Sequence, residues 1–225
     1  MPIFKKVNKD FFKTWTHEMA YVLGFFAADG YITVNKRGGH FWCIQICDKE
    51  LLEQIKKCVG SEHKISIRTR KGNESDIFRL QIGSKEMCND LRKLGMRERK
   101  TKSLSVPSVP DEYFSDFVRG YFDGDGSVWV GQIHKERKTK SVAIRSVFTS
   151  CSGDFLESLR VRMESFGILS GVLRKEKDSY YRLIYSVRGS LKLYDFMYNH
   201  EVSLSESLLL NRKKSVFEKF IEMQP

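Results

Sequence analysis

One sequence motif occurs twice in this chain, and equivalent positions of the two copies lie 96 residues apart. Residues 20–30 read AYVLGFFAADG, and residues 117–126 read FVRGYFDGDG. Each copy is an apolar, helix-like segment that ends in Asp-Gly and is followed by a β-rich stretch, YITV after the first copy and SVWV after the second. Repetition at this spacing predicts two similar structural units, each built around one copy of the motif.

The residues after each motif also follow a common order. A β-rich segment comes next and is followed by a helical pattern, DKELLEQIKKCVG in the first half and SGDFLESLRVRMESFG in the second. Two further strand-like segments follow, and short helices over 85–94 and 191–198 close the halves. The sequence therefore predicts an α+β fold of two pseudo-symmetric αββαββα halves, each with a four-stranded antiparallel sheet that carries helices on one face.

Pro107 and Pro110 mark a break between the two halves, next to the basic run RERKTK. We expect an N-terminal half over residues 1–95, a linker over 96–110 and a C-terminal half over 111–225. The pattern also predicts a last amphipathic helix over 205–221, which would complete the second half.

The chain is strongly basic, since its 39 Lys and Arg residues outnumber its 28 Asp and Glu residues and give a net charge of +11. Such a charge fits an anionic partner such as a nucleic acid, although it also serves solubility alone. The longest apolar run, residues 19–28, has about half of the roughly 20 residues that span a bilayer, so we expect no signal peptide and no membrane partner. Five cysteines without a C-x-x-C pair indicate neither disulfides nor zinc and suit an intracellular, reducing location.

Small residues recur four positions apart on both motif helices: Gly24 and Ala28 on the first, Gly120 and Gly124 on the second. Such stripes allow two helix backbones to approach closely. If the stripes face each other, the acids that follow them, Asp29 and Asp125, meet at the midline of the molecule. Two carboxylates at helix C-termini are unfavourable together unless they are protonated or bridged by a cation, and oxygen ligands favour Mg²⁺ or Mn²⁺.

Two other interpretations of the motifs are weaker. A glycine pair usually serves tight packing alone and Asp-Gly is common in turns, so a single motif would not indicate catalysis, whereas two copies do. A calcium loop that begins at Asp123 lacks the required residues, because Val128 stands at its sixth position and His134 at its twelfth.

The segments YVLGFFAADG and FVRGYFDGDG resemble the two motifs of single-chain LAGLIDADG homing endonucleases, a group often found in introns and inteins. The repeated αββαββα order, the linker KTKSLSVPSVPDEYF and the tail LLLNRKK are similar as well. The resemblance implies that Asp29 and Asp125 bind metal and orient the attacking water, together with the backbone of Ala28 and Gly124. The chain departs from the motif at its earlier acidic position, which is Ala27 in the first copy and Asp123 in the second.

The resemblance also implies a function. We expect a site-specific endonuclease that hydrolyses both strands of duplex DNA with Mg²⁺, with Mn²⁺ as a substitute and with Ca²⁺ supporting binding without cleavage. The family places a basic and a polar residue near the metals. Lys100 and Lys213 match the basic positions, with Lys102 as a rival of Lys100, and Gln45 and Thr149 match the polar ones.

Two curved sheets side by side would form a saddle over DNA, with outward strand residues in the major groove. Alternation along the strands predicts these outward residues: Thr33, Asn35, Arg37, Arg68, Arg70, Arg79, Gln81, Arg145, Arg174 and Arg182. A hairpin tip with Lys135, Arg137, Lys138 and Lys140 would contact the phosphate backbone.

The two halves differ in nearly all of these positions, which predicts a long, asymmetric target and a monomer. The location would be the cytoplasm of a prokaryote or the interior of an organelle. An RNA maturase that binds intron RNA and a non-cleaving DNA-binding regulator remain the alternatives on this fold.

Overall fold

Each half of the protein contains the same sequence of helices and strands. The computed structural model describes residues 5–72, 74–98, 100–134, 136, 141–177, 180–199 and 208–223. The elements of the first half are α1 (His17–Asp29), β1 (Gly30–Val34), β2 (His40–Ile46), α2 (Lys49–Cys58), β3 (Ser66–Arg68), β4 (Ile77–Gly83) and α3 (Lys85–Lys93). Those of the second half are α4 (Asp111–Asp125), β5 (Gly126–Ile133), β6 (Ser141–Ser150), α5 (Gly153–Ser165), β7 (Val172–Glu176), β8 (Tyr180–Tyr185) and α6 (Val187–Tyr198). A further helix, α7 (Asn211–Glu222), follows. The predicted αββαββα order is confirmed.

Both halves contain a four-stranded antiparallel sheet with the same topology. The strand orders are β1-β2-β4-β3 and β5-β6-β8-β7. In the first sheet Ile44 lies opposite Leu80, and both are fully buried beneath the helices. On the other face Gln45 lies opposite Arg79, and both are exposed. The alternation buries one face of the sheet and leaves the other free for polar residues, as predicted.

Helices α1 and α4 lie side by side in the centre of the molecule. All residues of α1 from Met19 to Ala27 are buried, and so are those of α4 from Phe114 to Asp123. A helix that is buried all round belongs to the interior of a protein. The two motif helices therefore form the shared core between the halves, and the sheets extend from their C-terminal ends at Gly30 and Gly126.

Some predicted boundaries were wrong. Helix α6 begins at Val187 and not at residue 191, because Ser186 accepts the backbone N–H of Ser190 and starts the helix earlier. Helix α7 begins at Asn211 and not at 205, because the N–H of Leu210 bonds to the side chain of Asp123 instead of a helical carbonyl. Residues 205–207 lie outside the described residues.

The segment between the halves runs over residues 94–110 and contains a single 3-10 turn, Lys100–Lys102. Helix α4 then begins at Asp111, directly after Pro110 at its N-cap. Within the described ranges, no helix is long and apolar enough to cross a membrane.

Candidate active site

The small residues of α1 and α4 are in direct contact. A Cβ atom on Gly24 would lie 2.1 Å from the carbonyl oxygen of Phe117, and one on Gly120 would lie 2.1 Å from that of Tyr21. One turn further on, a Cβ on Gly124 would lie 2.4 Å from the Cβ of Ala28. The four residues that the sequence selected as a helix interface are thus the points where the two backbones approach most closely, and the ends of the helices lie side by side.

Asp29 and Asp125 occupy equivalent positions at these two ends. Each is the last residue of its helix and is followed by a glycine that starts a strand. Burial and, to a smaller extent, the negative charge of Asp125 together raise the pKa of Asp29 to about 6, against the opposing charges of Lys213 and Lys100. Burial also raises the pKa of Asp125, while the charges of Lys100 and Lys213 oppose the rise. The partly buried carboxylate of Asp29 and the more exposed one of Asp125 interact electrostatically, and a cation would relieve this unfavourable pairing.

Each aspartate lies in its own cleft, and the two clefts are built in the same way. The Asp29 cleft has a volume of about 540 Å³, and Gln45 of β2 and Gly124 of α4 also line it. The Asp125 cleft has a volume of about 230 Å³, and Thr149 of β6 and Ala28 of α1 also line it. Each cleft therefore combines one motif aspartate, a polar residue from the second strand of a sheet, and the small residue of the opposite motif helix.

A buried lysine caps the C-terminal end of each motif helix. The Nζ of Lys100 donates a hydrogen bond of 2.8 Å to the carbonyl oxygen of Ala27 in α1. The Nζ of Lys213 donates to the carbonyl oxygens of Phe122, Asp123 and Gly126, at 2.6, 2.7 and 2.6 Å. A cation at this position adds a hydrogen-bond donor to the carbonyls at the helix end and compensates the helix dipole.

The surroundings of the lysines distinguish Lys100 from Lys102. Lys100 is 8% exposed and lines the Asp125 cleft, whereas Lys102 is exposed at the end of the 3-10 turn. Burial lowers the pKa of Lys100 to about 8, and the carboxylates of Asp125 and Asp29 oppose that shift. Burial likewise lowers the pKa of Lys213 to about 8, opposed first by Asp123. Both ammonium groups therefore lose their protons in a mildly alkaline range.

The donors available for a metal ion are hard oxygen atoms. Among the described residues, no group of three or more His, Cys, Asp or Glu side chains is placed to hold a metal by itself. The two carboxylates and the backbone carbonyls of Ala28 and Gly124 would have to be completed by water or by phosphate oxygens. This incomplete oxygen set fits Mg²⁺, which usually keeps several waters and binds phosphate together with one or two carboxylates.

Seven of the fourteen predicted DNA-binding side chains lie on the outward faces of the described strands. In the first sheet, pairing places Arg68 opposite Ile77, Arg79 opposite Gln45, Gln81 opposite Cys43 and Thr33 opposite Phe41, all on the face away from the helices. In the second sheet Arg182 lies opposite both Arg174 and Thr149, and Arg145 lies opposite Trp129. The arginines form a positive surface that continues from the mouths of the two clefts.

Asn35, Arg37 and Arg70 were assigned to outward strand positions but lie outside the strands. Strand β1 ends at Val34, and the side chain of Asn35 instead closes the following turn by accepting the backbone N–H groups of Arg37 and Gly39, at 3.0 and 2.8 Å. Arg70 lies beyond β3 and forms an ion pair of 3.2 Å with Glu74. In both places the alternation was extended into a turn where it no longer applies. Lys135, Arg137, Lys138 and Lys140 lie outside the described residues.

Exposed aromatic residues on the same surface were missed. Trp129 of β5 is 48% exposed on the outward face, and its ring lies over Gly131, where a Cβ would come within 2.2 Å of it. Tyr31 of β1 is 38% exposed on the corresponding face of the first sheet. The period-two pattern marks both positions, but only polar residues were selected from it. Aromatic faces beside arginines suit stacking and apolar contacts with nucleotides.

Comparisons with known proteins agree with this geometry. A family model described as "LAGLIDADG-like domain" matches residues 16–95 and again residues 112–196. The chain is 31% identical over 153 residues to a probable translation initiation factor IF-2 of Thermococcus kodakarensis, and 35% identical over 94 residues to a reverse gyrase of Methanocaldococcus jannaschii. These matches cover 65% and 42% of the chain but only 12% and 6% of the two relatives.

Solved structures show the same fold. The meganuclease I-SmaMI bound to uncleavable DNA matches with a TM-score of 0.60 and 13% identity, over 93% of this chain and 88% of that one. The LAGLIDADG meganuclease I-AabMI bound to uncleaved DNA matches with a TM-score of 0.61 and 16% identity, over 90% and 88%. I-SmaMI is also known on its uncleaved DNA target in the presence of calcium ions. With both motif copies matched, the chain belongs to the LAGLIDADG family, carries two copies of its domain and has the fold of the LAGLIDADG meganucleases.

Proposed function

We propose that this protein is a site-specific endonuclease that binds a long, asymmetric duplex DNA site as a monomer and hydrolyses both strands with a divalent cation. The observation that carries the proposal is the pair of equivalent clefts, each with one motif aspartate at the end of α1 or α4. Two separate clefts at one midline suit a reaction that has to be performed once on each strand.

We assign the cation to Asp29 and Asp125, together with the backbone of Ala28 and Gly124. A bound divalent cation supplies charge stabilisation to the phosphate during in-line displacement by water. Gln45 and Thr149 line the clefts with groups that can hydrogen-bond to water or to a phosphate oxygen. The ammonium groups of Lys100 and Lys213 add positive charge at the clefts and hold the two helix ends in place. Mg²⁺ suits these oxygen donors, with Mn²⁺ as a substitute and Ca²⁺ for binding alone.

DNA is the partner that the charge distribution supports. The chain carries a net charge of +11, and the outward sheet faces carry seven arginines and polar residues of the predicted set in the described strands: Thr33, Arg68, Arg79, Gln81, Arg145, Arg174 and Arg182. Most equivalent outward positions of the two halves carry different residues, with Arg79 and Arg182 as an identical pair, so each half would read a different sequence. The solved relatives I-SmaMI and I-AabMI are bound to DNA with the same fold, which supports this proposal.

The sequence relatives support a mobile genetic origin. The matching segment forms 12% or less of proteins with names as different as initiation factor IF-2 and reverse gyrase. A segment that occurs inside such different proteins fits an element that inserts into host genes, as an intein does, and a nuclease gives such an element a means of spreading.

The test is a selection of cleavable sites from a randomised duplex library in the presence of Mg²⁺, with Ca²⁺ in a parallel reaction. We expect one asymmetric consensus in Mg²⁺ and binding without cleavage in Ca²⁺. Asp29→Asn and Asp125→Asn should each still bind the selected site and fail to cut both strands, while Asp154→Asn, an exposed acid on α5, should cut normally. Full double-strand cutting by either motif variant would refute the metal assignment, and binding of intron RNA in preference to duplex DNA would favour a maturase.

A further inference from the structure

Asp123, two residues before the motif aspartate of α4, lies where three parts of the chain meet. It is 2% exposed, and its Oδ2 accepts a hydrogen bond of 2.7 Å from the hydroxyl of Tyr21 in α1. The same oxygen accepts the backbone N–H of Leu210 at 2.9 Å. Its Oδ1 is buried without a hydrogen-bond partner among the described residues. Asp123 thus uses one oxygen to join the first half, the second half and the segment that precedes α7.

The bond to Leu210 fixes the first turn of α7. Leu210 is the N-cap of this helix, and its carbonyl oxygen accepts the backbone N–H of Lys213 at 2.8 Å. The side chain of Lys213 then returns to the carbonyls at the end of α4, including that of Asp123 itself at 2.7 Å. Two sets of hydrogen bonds therefore join the end of α4 to this turn: one to the carboxylate of Asp123 and one to the backbone carbonyls.

The first turn of α7 also forms part of the Asp29 cleft. Leu210 and Arg212 line that cleft together with Asp29 and Asp123. The wall of the Asp125 cleft at the corresponding place comes from the linker, through Lys100 and Thr101. A shift of the first turn of α7 would therefore change the Asp29 cleft directly and would leave the linker wall of the other cleft in place.

The aromatic ring of Tyr21 is itself held in position. The guanidinium of Arg119 lies 5.4 Å from the centre of the Tyr21 ring. Arg119 in turn donates hydrogen bonds to Asp116 Oδ1 at 2.7 Å and to the carbonyl oxygen of Met197 at 3.0 Å. The hydroxyl of Tyr21 is thus presented to Asp123 by a fixed ring in a region where Tyr21 and Arg119 are almost completely buried.

The pseudo-symmetric positions carry neither the donor nor the acceptor. When Asp29 is aligned with Asp125, Tyr21 corresponds to Phe117 and Asp123 corresponds to Ala27. At this end of α1, the one hydrogen bond that Lys100 donates among the described residues goes to the backbone carbonyl of Ala27. Since both members of the pair are replaced by apolar residues in the other half, the arrangement belongs to one side of the molecule.

We propose that Tyr21, Asp123 and the Leu210 amide form a one-sided latch that positions the first turn of α7 and makes the geometry of the Asp29 cleft depend on it. The inference rests on the proposed nuclease function. Asp123 is a positioning residue here, acting through its acceptor oxygen on the Leu210 amide and not as a metal ligand. Loosening the latch slows cutting of the strand that the Asp29 cleft serves more than cutting of the other strand.

The first experiment uses two substrates that carry one selected site: a linear duplex with either strand end-labelled, which gives the rate of cutting of each strand, and a supercoiled plasmid, which shows nicked circles. Because small displacements of a reacting group are costly, we expect Asp123→Ala to change the ratio of the two strand rates by about tenfold, with nicked circles as the main early product. Tyr21→Phe removes the hydroxyl that donates to Oδ2 of Asp123, and it shifts the ratio of the strand rates in the same direction. Asp123→Asn keeps an acceptor oxygen at that place and restores the ratio of the unmodified chain.

The matched control is Tyr194→Phe, which removes a hydroxyl that also meets α7, at Glu218, away from its first turn. It should leave the strand ratio unchanged. The latch is refuted if Asp123→Ala and Tyr21→Phe slow both strands by the same factor. An Asp123→Asn variant as impaired as Asp123→Ala would refute it too, since the charge and not the acceptor would then be essential.

A second measurement does not depend on activity. Hydrogen exchange over residues 208–223 should be faster in Asp123→Ala and Tyr21→Phe than in the unmodified chain, and close to normal in Asp123→Asn. Unchanged exchange in Asp123→Ala would overturn the latch even if cleavage changes. If the unmodified chain cuts no DNA, the proposed nuclease function fails, and the exchange experiment alone then decides whether the latch exists.

Discussion

Gly24 of α1 and Gly120 of α4 face the opposite helix so closely that a Cβ on either would lie 2.1 Å from a backbone carbonyl oxygen of that helix. The clash partner is backbone, so a rotamer change cannot remove it and the helices would have to separate. Their separation would also move Asp29 and Asp125 apart, because both residues end these helices. Close packing of the helices and the geometry of the two clefts are thus set by the same contact.

The first prediction follows from this contact. Gly120→Ala should lower the free energy of unfolding by about 1–3 kcal/mol, the usual cost of overpacking a core. In an ordinary helix interior the same change would stabilise the protein by about 1 kcal/mol, because alanine has the higher helix propensity. Urea unfolding monitored by circular dichroism measures the change, and a rise in stability would show that the helices are not packed as described.

The second prediction concerns the charge of Asp29 in the metal-free protein. Its pKa is raised to about 6, so folding favours the protonated form, and this stabilisation is present at low pH and is lost as the pH rises through about 6. At pH 7 the carboxylate is ionised at a cost to the folded state. Asp29→Asn should therefore raise the stability of the metal-free protein at pH 7 by about 1–2 kcal/mol, a value reduced for partial exposure to solvent.

The matched control for that experiment is Asp154→Asn, because Asp154 is exposed in the first turn of α5. An anion at a helix N-terminus is favourable, so this variant should lose a few tenths of a kcal/mol. Thermal unfolding in EDTA measures both variants. Equal or lower stability of Asp29→Asn would mean that neither burial nor the charge of Asp125 makes the ionised Asp29 carboxylate unfavourable in the folded protein.

Much of this fold was predictable because the motif and its periodicities occur twice. The apolar helices, the Asp-Gly ends and the alternation in β4 all reflect local constraints that a sequence displays. The strand ends at Val34 and Arg68 were not predictable in this way, since a polar turn continues the alternating pattern without belonging to the sheet.

In the candidate site, too, local sequence patterns predict some residues and long-range contacts determine others. Asp29 and Asp125 follow from the repeat, and the close approach of Gly24 and Gly120 follows from their spacing. The role of Asp123 as an acceptor for Leu210 depends on a contact between residues far apart in the chain, and no local pattern shows it. The sequence likewise could not show which lysine of the 3-10 turn is buried at the cleft, Lys100 or Lys102, because this depends on how the turn packs.

The third prediction is a bell-shaped dependence of cleavage on pH. A divalent cation needs ionised carboxylates, so cleavage should fall by about tenfold for each pH unit below the Asp29 pKa of about 6. Lys100 and Lys213, whose pKa values are lowered to about 8, should lose their positive charge above that pH and cleavage should fall again. Single-turnover rates between pH 5 and 9 measure the profile.

Metal concentration provides the control for that profile. Because protons and the cation compete for the same carboxylates, higher Mg²⁺ should move the acidic limb to lower pH and leave the alkaline limb in place. An acidic limb that does not move with Mg²⁺ would show that the group that titrates there does not bind the metal.

The fourth prediction compares two lysines of the same turn. Lys100→Ala removes a buried ammonium group from the Ala27 carbonyl and from the Asp125 cleft, whereas Lys102→Ala removes an exposed one. We expect Lys100→Ala to reduce the cleavage rate by about 100-fold or more, in the range found when one stabilising donor is lost from an active site, and Lys102→Ala to stay within about twofold. Rates under saturating DNA separate this effect from weaker binding. Equal losses of cleavage rate in the two variants would contradict a role in cleavage that Lys100 has and Lys102 lacks.

The fifth prediction concerns the outward face of the second sheet. Arg145 lies opposite Trp129 on that face, and Arg188 is exposed on α6 on the helix side of the sheet. If Arg145 contacts DNA phosphate, Arg145→Ala should reduce the slope of log affinity against log salt by about one. A contact to a base would instead leave the slope unchanged and relax the preference at one position of the site.

Arg188→Ala should change neither quantity. Fluorescence titrations at several salt concentrations in Ca²⁺ distinguish these results, and quenching of the exposed Trp129 by bound DNA reports that the same face is covered. A variant of Arg145 that binds every site with unchanged affinity and slope would show that DNA does not lie on this sheet.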